Sequence, residues 1–151
     1  MTSITADQLH AWRAFLESHA ALIELLTIEL DRSHDLPLTW YDVLVNLSEA
    51  DDHRLRMQEL AAGIVLSKSG LTRLVQRMQD AGLVQREPCP GDRRGVFAVM
   101  TAAGYARLRE AAPAHIDGVA RHFAANLTDQ EVRVLGVALT KVKAAASNAT
   151  A

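Results

Sequence analysis

Six polar side chains fall on one side of a helical pattern between Ser67 and Ala81: Lys68, Ser69, Thr72, Arg73, Gln76 and Arg77. Their types are those a DNA major groove calls for. A guanidinium fork suits guanine, a carboxamide suits adenine, and small hydroxyls suit base edges or phosphates. The N-terminal half of such a helix approaches the bases, which assigns base contacts to Ser69, Thr72 and Arg73. Lys68, Gln76 and Arg77 fall where phosphate contacts are equally open. A second basic group, Arg93 and Arg94, sits in the turn-rich stretch Pro88 to Gly95. Arginines presented by such a loop are drawn to the negative potential of a narrow minor groove. Spacing does not separate the one that inserts from the one that holds the loop base, and both are candidates. Asp92 beside them would be repelled by phosphate, so a salt bridge or turn cap is its expected work.

The charge distribution agrees with this reading. The chain of 151 residues has a formal net charge of −2. Between Arg54 and Arg94 there are eight basic and four acidic residues, and everywhere else eight basic and fourteen acidic. A basic middle between acidic ends is expected where only the middle meets a polyanion. At 49% apolar residues the chain can fold around a core, and its length suits a single domain with helical arms. No run of about 18 apolar residues is present, and the N-terminus lacks the basic and apolar regions of a secretion signal. A cytoplasmic protein is therefore expected. Cys89, the single cysteine, excludes an internal disulfide and a cysteine-only zinc site. Between two prolines, it reads as a partly exposed thiol.

Helical and strand periodicities must position these groups. Leu9, Leu16, Ile23 and Leu30 recur at sevens, with Trp12, His19 and Leu26 in the second row, predicting a long helix over Thr5–Ser33. Pro37 interrupts it. Thr39 is the expected cap of a second helix, with Asp42 completing a capping box. A short third helix covers about Arg56–Ala62 and ends on Gly63 as a glycine cap. Ser67 caps a fourth to about Ala81, whose Leu71, Leu74, Val75 and Met78 form its apolar side. Strands are predicted over Leu83–Glu87 and Val96–Met100 around the charged loop. Thr101 opens a fifth helix, bent by Pro113, and Leu127-Thr128-Asp129-Gln130-Glu131 carries a full capping box for a sixth. The fold class is mainly α with a small β-hairpin wing, a winged helix-turn-helix between helical arms.

At this point the chain resembles the multiple antibiotic resistance regulator (MarR) family of bacterial transcription factors. The resemblance rests on Leu38-Thr39-Trp40-Tyr41-Asp42-Val43-Leu44-Val45 and Met57-Gln58-Glu59-Leu60-Ala61. It continues in Ser69-Gly70-Leu71-Thr72-Arg73-Leu74-Val75 leading to Gly82-Leu83-Val84. Asp92-Arg93-Arg94-Gly95-Val96 through Thr101-Ala102-Ala103-Gly104 completes it. It implies a single domain over 1–151, with a DNA-binding part at 38–101 and dimerisation arms at 5–33 and 102–146. It also implies an obligate homodimer whose first, fifth and sixth helices interleave, placing one winged unit on each half-site of a pseudo-palindromic operator. A repressor released by a small aromatic or phenolic effector is the expected activity. The family's effector pocket carries over onto Trp40 at the start of the second helix and His115 on the fifth. Trp12 and His19 share the inward stripe of the first helix. Protonated His19 or His115 would pair with a carboxylate there. An indole N–H or an imidazole in a seam of leucines needs a polar partner, as a ligand could supply.

Competing chemistries find less support. None of His10, His19, His34, His53, His115 and His122 has metal-ligand spacing on one helix, and no metal or cofactor is expected. Glycine-rich phosphate loops and nucleophile elbows are absent, so the chain is not read as an enzyme. The alternative is a ligand-independent architectural or protein-docking winged-helix protein, which would show no preference for one DNA sequence.

Overall fold

The computed structural model describes residues 3–65 and 69–149. In chain order the helices and strands are α1 (Ala6–His34), α2 (Leu38–Glu49), β1 (Arg54–Arg56), α3 (Met57–Gly63), α4 (Leu71–Asp80), β2 (Val84–Cys89), β3 (Asp92–Met100), α5 (Ala102–His122) and α6 (Asp129–Ala149). The fold is mainly helical with a small antiparallel sheet, as the periodicities predict. The chain forms two compact units, Glu24–His115 and the pair of chain ends Met1–Ile23 and Ile116–Ala151.

The first unit holds the core. Leu30, Leu36, Val43, Leu44, Leu47, Leu60, Val75, Met78 and Val84 are almost wholly shielded from solvent. They come from α1 to α4, β2 and, for Leu36, the link between α1 and α2, so burying them is what locks the helix-turn-helix against the sheet. The sheet has order β1-β3-β2, with Arg54 opposite Val99 and Val84 opposite Met100. Strand β1 was not expected; three residues are too few for alternation to reveal. Ala98 and Met100 face the core. The strands are longer than predicted, and the charged loop shrinks to the turn at Pro90 and Gly91, where Gly91 takes a positive φ of 78°. Cys89 is buried, not partly exposed, because it closes β2 against Gly95.

Three helix ends differ from expectation. Helix α2 starts at Leu38 behind Pro37, with no side-chain cap, so Thr39 and Asp42 do not form a capping box. Gly63 is the last residue of α3 rather than a left-handed cap. A Cβ there would lie 2.5 Å from Asn46 Oδ1, so close approach to α2 is what requires glycine. The left-handed residue before α4 is Gly70, with φ 73°; the predicted cap Ser67 lies outside the described residues. Other caps form as read. Thr101 Oγ1 accepts from the Gly104 amide at 3.0 Å and donates to Gly82 O at 2.6 Å, joining the start of α5 to the end of α4. Gly104 has no room for a Cβ, which would strike the Leu83 carbonyl. Helix α5 continues through Pro113 as one element.

In the second unit, the Thr128 amide donates to Glu131 Oε2 at 2.8 Å and the Glu131 amide to Thr128 Oγ1 at 3.3 Å, the reciprocal capping box of α6. The bond from the Thr128 amide, with a second from the Thr128 hydroxyl to the same oxygen, holds the Glu131 carboxyl below its ordinary pKa. Apolar side chains here stay open to solvent. Trp12, Ile116, Val134, Val137 and Val142 are more than half exposed, and only Leu127, Leu135 and Leu139 among the large residues of α6 and its approach are half-buried.

Candidate nucleic-acid interface

Helix α4 divides cleanly. Leu71, Leu74, Val75 and Met78 are buried, and Thr72, Arg73, Gln76 and Arg77 are exposed. The alternation is a consequence of 3.6-residue periodicity: once four apolar residues enter the core, the polar four must face outward. Gly70 turns the chain into the helix, and its carbonyl accepts the first helical bond from Leu74 at 2.9 Å. Ser69 therefore sits in the turn ahead of α4, exposed, rather than in its first helical turn. Lys68 lies outside the described residues.

Gln76 is not a loose carboxamide. Its Oε1 accepts from Arg86 at 3.4 Å and its Nε2 donates to Asp80 at 3.0 Å, which bridges α4 to β2. Arg86, exposed on β2, is a basic group that the helical pattern did not assign to the interface. Only the strand's pairing brings it beside α4.

Arginines 93 and 94 owe their presentation to a break in register. Pro88 pairs with Val96, but Cys89 pairs with Asp92, so Arg93, Arg94 and Gly95 bulge out of the ladder. Bulges re-aim side chains in this way. Both arginines are exposed. Asp92 fixes the bulge from within: its Oδ1 accepts the Arg94 amide at 3.0 Å, and its Oδ2 meets Arg56 Nη1 at 3.2 Å. Arg56 and Arg54 of β1 in turn lie over the Phe97 ring, 5.8 and 5.0 Å from its centre. Arg56, Thr72, Arg86, Asp92 and Arg94 line a cleft of about 280 Å³ between α3, α4 and the wing. Three arginines against one carboxylate make it an anion-attracting surface.

The residues assigned to an effector pocket divide between the units. Trp12 and His19 stand on α1 among the chain ends, linked by a ladder of rings through Phe15, with centres 6.1 and 6.5 Å apart. Trp40 and His115 belong to the other unit, both half-buried. The His115 ring packs 4.5 Å from the ring of Tyr41, and its buried Nδ1 has no hydrogen-bond partner. Burial lowers the His115 pKa and raises that of Tyr41. The expected imidazolium is thus disfavoured at neutral pH, and His115 offers a neutral ring to any partner. Among the described residues no cluster of three or more metal-ligating side chains occurs, and no helix is long and apolar enough to cross a membrane.

Comparison with known proteins agrees with the fold. The model of the MarR family matches residues 34–95. AbsC, a MarR family transcriptional regulator from Streptomyces coelicolor, is 36% identical; the match covers 98% of this chain and 99% of that one, with a TM-score of 0.86. The chain belongs to the MarR family. A second MarR family regulator from Streptomyces coelicolor, solved in complex with DNA, is also 36% identical, over 95% of this chain and 90% of its own, with a TM-score of 0.85. The HTH-type transcriptional repressor YetL of Bacillus subtilis is 31% identical over 99 residues, 64% of this chain and 59% of the relative. This MarR protein is therefore a transcriptional regulator and not an enzyme.

Proposed function

We propose that this MarR regulator is a homodimeric repressor working in the cytoplasm, which binds a pseudo-palindromic operator and is released by a small aromatic or phenolic effector. The observation that carries the DNA reading is the division of α4, whose core face is anchored on four buried apolar residues while Thr72 and Arg73 stand free at its N-terminal end. Arg73 is the expected base reader, assisted by Thr72 and Ser69. Gln76, already bound at both ends of its carboxamide, orients the surface rather than reading adenine. Arg77, Arg86 and Lys68 suit phosphates, and the bulged Arg93 and Arg94 suit the minor groove. The names of relatives support the reading, one being a repressor and one having been solved with DNA.

The exposed apolar surface of the chain ends, which a monomer in water would leave uncovered, supports the dimer reading. The effector reading rests on His115, whose unpartnered buried nitrogen stands against Tyr41 one residue after Trp40. A ligand releases DNA only if it binds better to the arrangement that does not fit the operator.

Selection from a random duplex library followed by binding titration tests the central claim. A single inverted-repeat sequence should be enriched, and Arg73→Ala should lose about 1–3 kcal/mol per half-site on it while relaxing base preference. Failure to enrich any sequence would favour the docking-module alternative. Salicylate and related acids, titrated against tryptophan fluorescence and operator binding, test the effector. Responses that persist in Trp40→Ala and His115→Ala would move the site elsewhere.

A further inference from the structure

Asp42 is in the fifth position of α2, too far along to cap that helix, and its carboxylate reaches across to another element. Asp42 Oδ2 accepts the backbone amide of Val65 at 2.8 Å. Val65 lies two residues past Gly63, the last of α3, and five before Gly70, which precedes α4. One turn along α2, Asn46 Nδ2 donates to the Asp42 carbonyl at 2.8 Å and to Asp42 Oδ1 at 3.3 Å, fixing the carboxylate's direction. The carboxamide oxygen of Asn46 is pressed so near Gly63 that a Cβ there would not fit. Two side chains of α2 thus hold the end of α3 and Val65 beyond it. Val65 is exposed, so the amide is not forced to find a protein acceptor, and a carboxylate holds it in place more firmly than a neutral group would.

The two ends of α4 are held differently. At its C-terminal end the Leu83 amide bonds to Met78 O at 3.0 Å and Thr101 holds Gly82. Ahead of its N-terminal end, the end that approaches bases, Asp42 ties Val65 to α2 among the described residues. Bidentate base contacts tolerate little displacement, so whatever fixes that end sets sequence preference without touching DNA.

We propose that Asp42 is a positioning residue for operator reading, acting through the Val65 amide on the approach of α4. The inference rests on the DNA-binding reading above. The test uses the full chain and a duplex selected by the wild type, with a scrambled duplex as reference. Asp42→Ala should lose about tenfold or more in the ratio of selected to scrambled affinity, the order of loss expected for one base contact. Its affinity for scrambled duplex and its salt dependence should stay as in the wild type, because phosphate contacts are untouched. Its unfolding midpoint should move little, since alanine favours helix more than aspartate does. Asp42→Asn keeps an acceptor and should retain most of the ratio. Hydrogen exchange at the Val65 amide should be slow in the wild type and in Asp42→Asn, and fast in Asp42→Ala. If Asp42→Ala does not fold, Asp42→Leu removes the acceptor while keeping bulk. An unchanged ratio in the folded variant, equal losses on both duplexes, or fast Val65 exchange in the wild type would each overturn the proposal. A wild type that selects no sequence would instead overturn the DNA reading, and this inference with it. Loss in Arg73→Ala without loss in Asp42→Ala would sink this inference alone.

Discussion

The unit spanning Glu24–His115 and the unit made of the chain ends use the same apolar residue types to opposite effect. In the first, Leu44, Leu47, Leu60, Val75 and Met78 have no exposed surface at all. In the second, Ile116 and Val142 are 61% exposed and Val134 is 62% exposed. The first unit's stability is therefore internal to one chain. The second has periodic apolar helices and caps but no core of its own among the described residues. Local rules suffice to form a helix, but burial needs an opposing surface, and for the chain ends that surface is a second copy under the dimer reading.

The largest effect that would sharpen the contrast is a truncation in the core. Leu44→Ala should cost about 2–5 kcal/mol of unfolding free energy, the same at every protein concentration. Chemical denaturation at two concentrations checks this, and a concentration-dependent loss would blur the distinction between the units. In the chain ends, Val134→Ser with Val137→Ser should cost about 1–3 kcal/mol of association, with the midpoint losing its rise with protein concentration. Sedimentation would show the same variant dissociating. A wild type that sediments as a stable monomer would break the comparison.

Smaller effects come from titrating groups, one in each unit. Burial holds the His115 pKa below its ordinary value of 6.5. The unfolded chain then binds the proton more readily, so stability is full above about pH 6.5 and declines as the pH falls below it. His115→Leu should flatten that decline in a series of thermal midpoints. For Glu131, hydrogen bonds from Thr128 lower the pKa from its ordinary value of 4.5. Its contribution is present above that value and lost as the pH falls through the folded pKa. Thr128→Ala should remove this acid-side slope and fray the start of α6, a small change to be read by helix-specific hydrogen exchange.

The division of α4 was readable in advance because a helix obeys one period. Once Leu71, Leu74, Val75 and Met78 are taken as core, Thr72, Arg73, Gln76 and Arg77 have nowhere to go but out. The caps at Thr101 and Thr128 were readable for the same local reason, since donor and acceptor lie three residues apart. Asp42 had the right spacing from Thr39 for a cap, but α2 already starts at Leu38 behind Pro37, which frees the carboxylate for Val65, 23 residues away. The bond of Arg86 to Gln76 and the layering of Arg54 and Arg56 on Phe97 depend on strand pairing, and no local pattern carries them.

The sequence by itself determined the helices and their apolar faces, because each depends on residues within a turn or two of one another, and the basic middle and the order of elements, which are read along the chain without knowing what meets what. Tertiary structure alone decided the extra strand β1, the register break that thrusts out Arg93 and Arg94, the burial of Cys89 and the partner of Asp42. Those depend on which surfaces meet. A one-residue change of register reverses the facing of every side chain in a strand, and one proline moves the start of a helix enough to give a carboxylate a different partner.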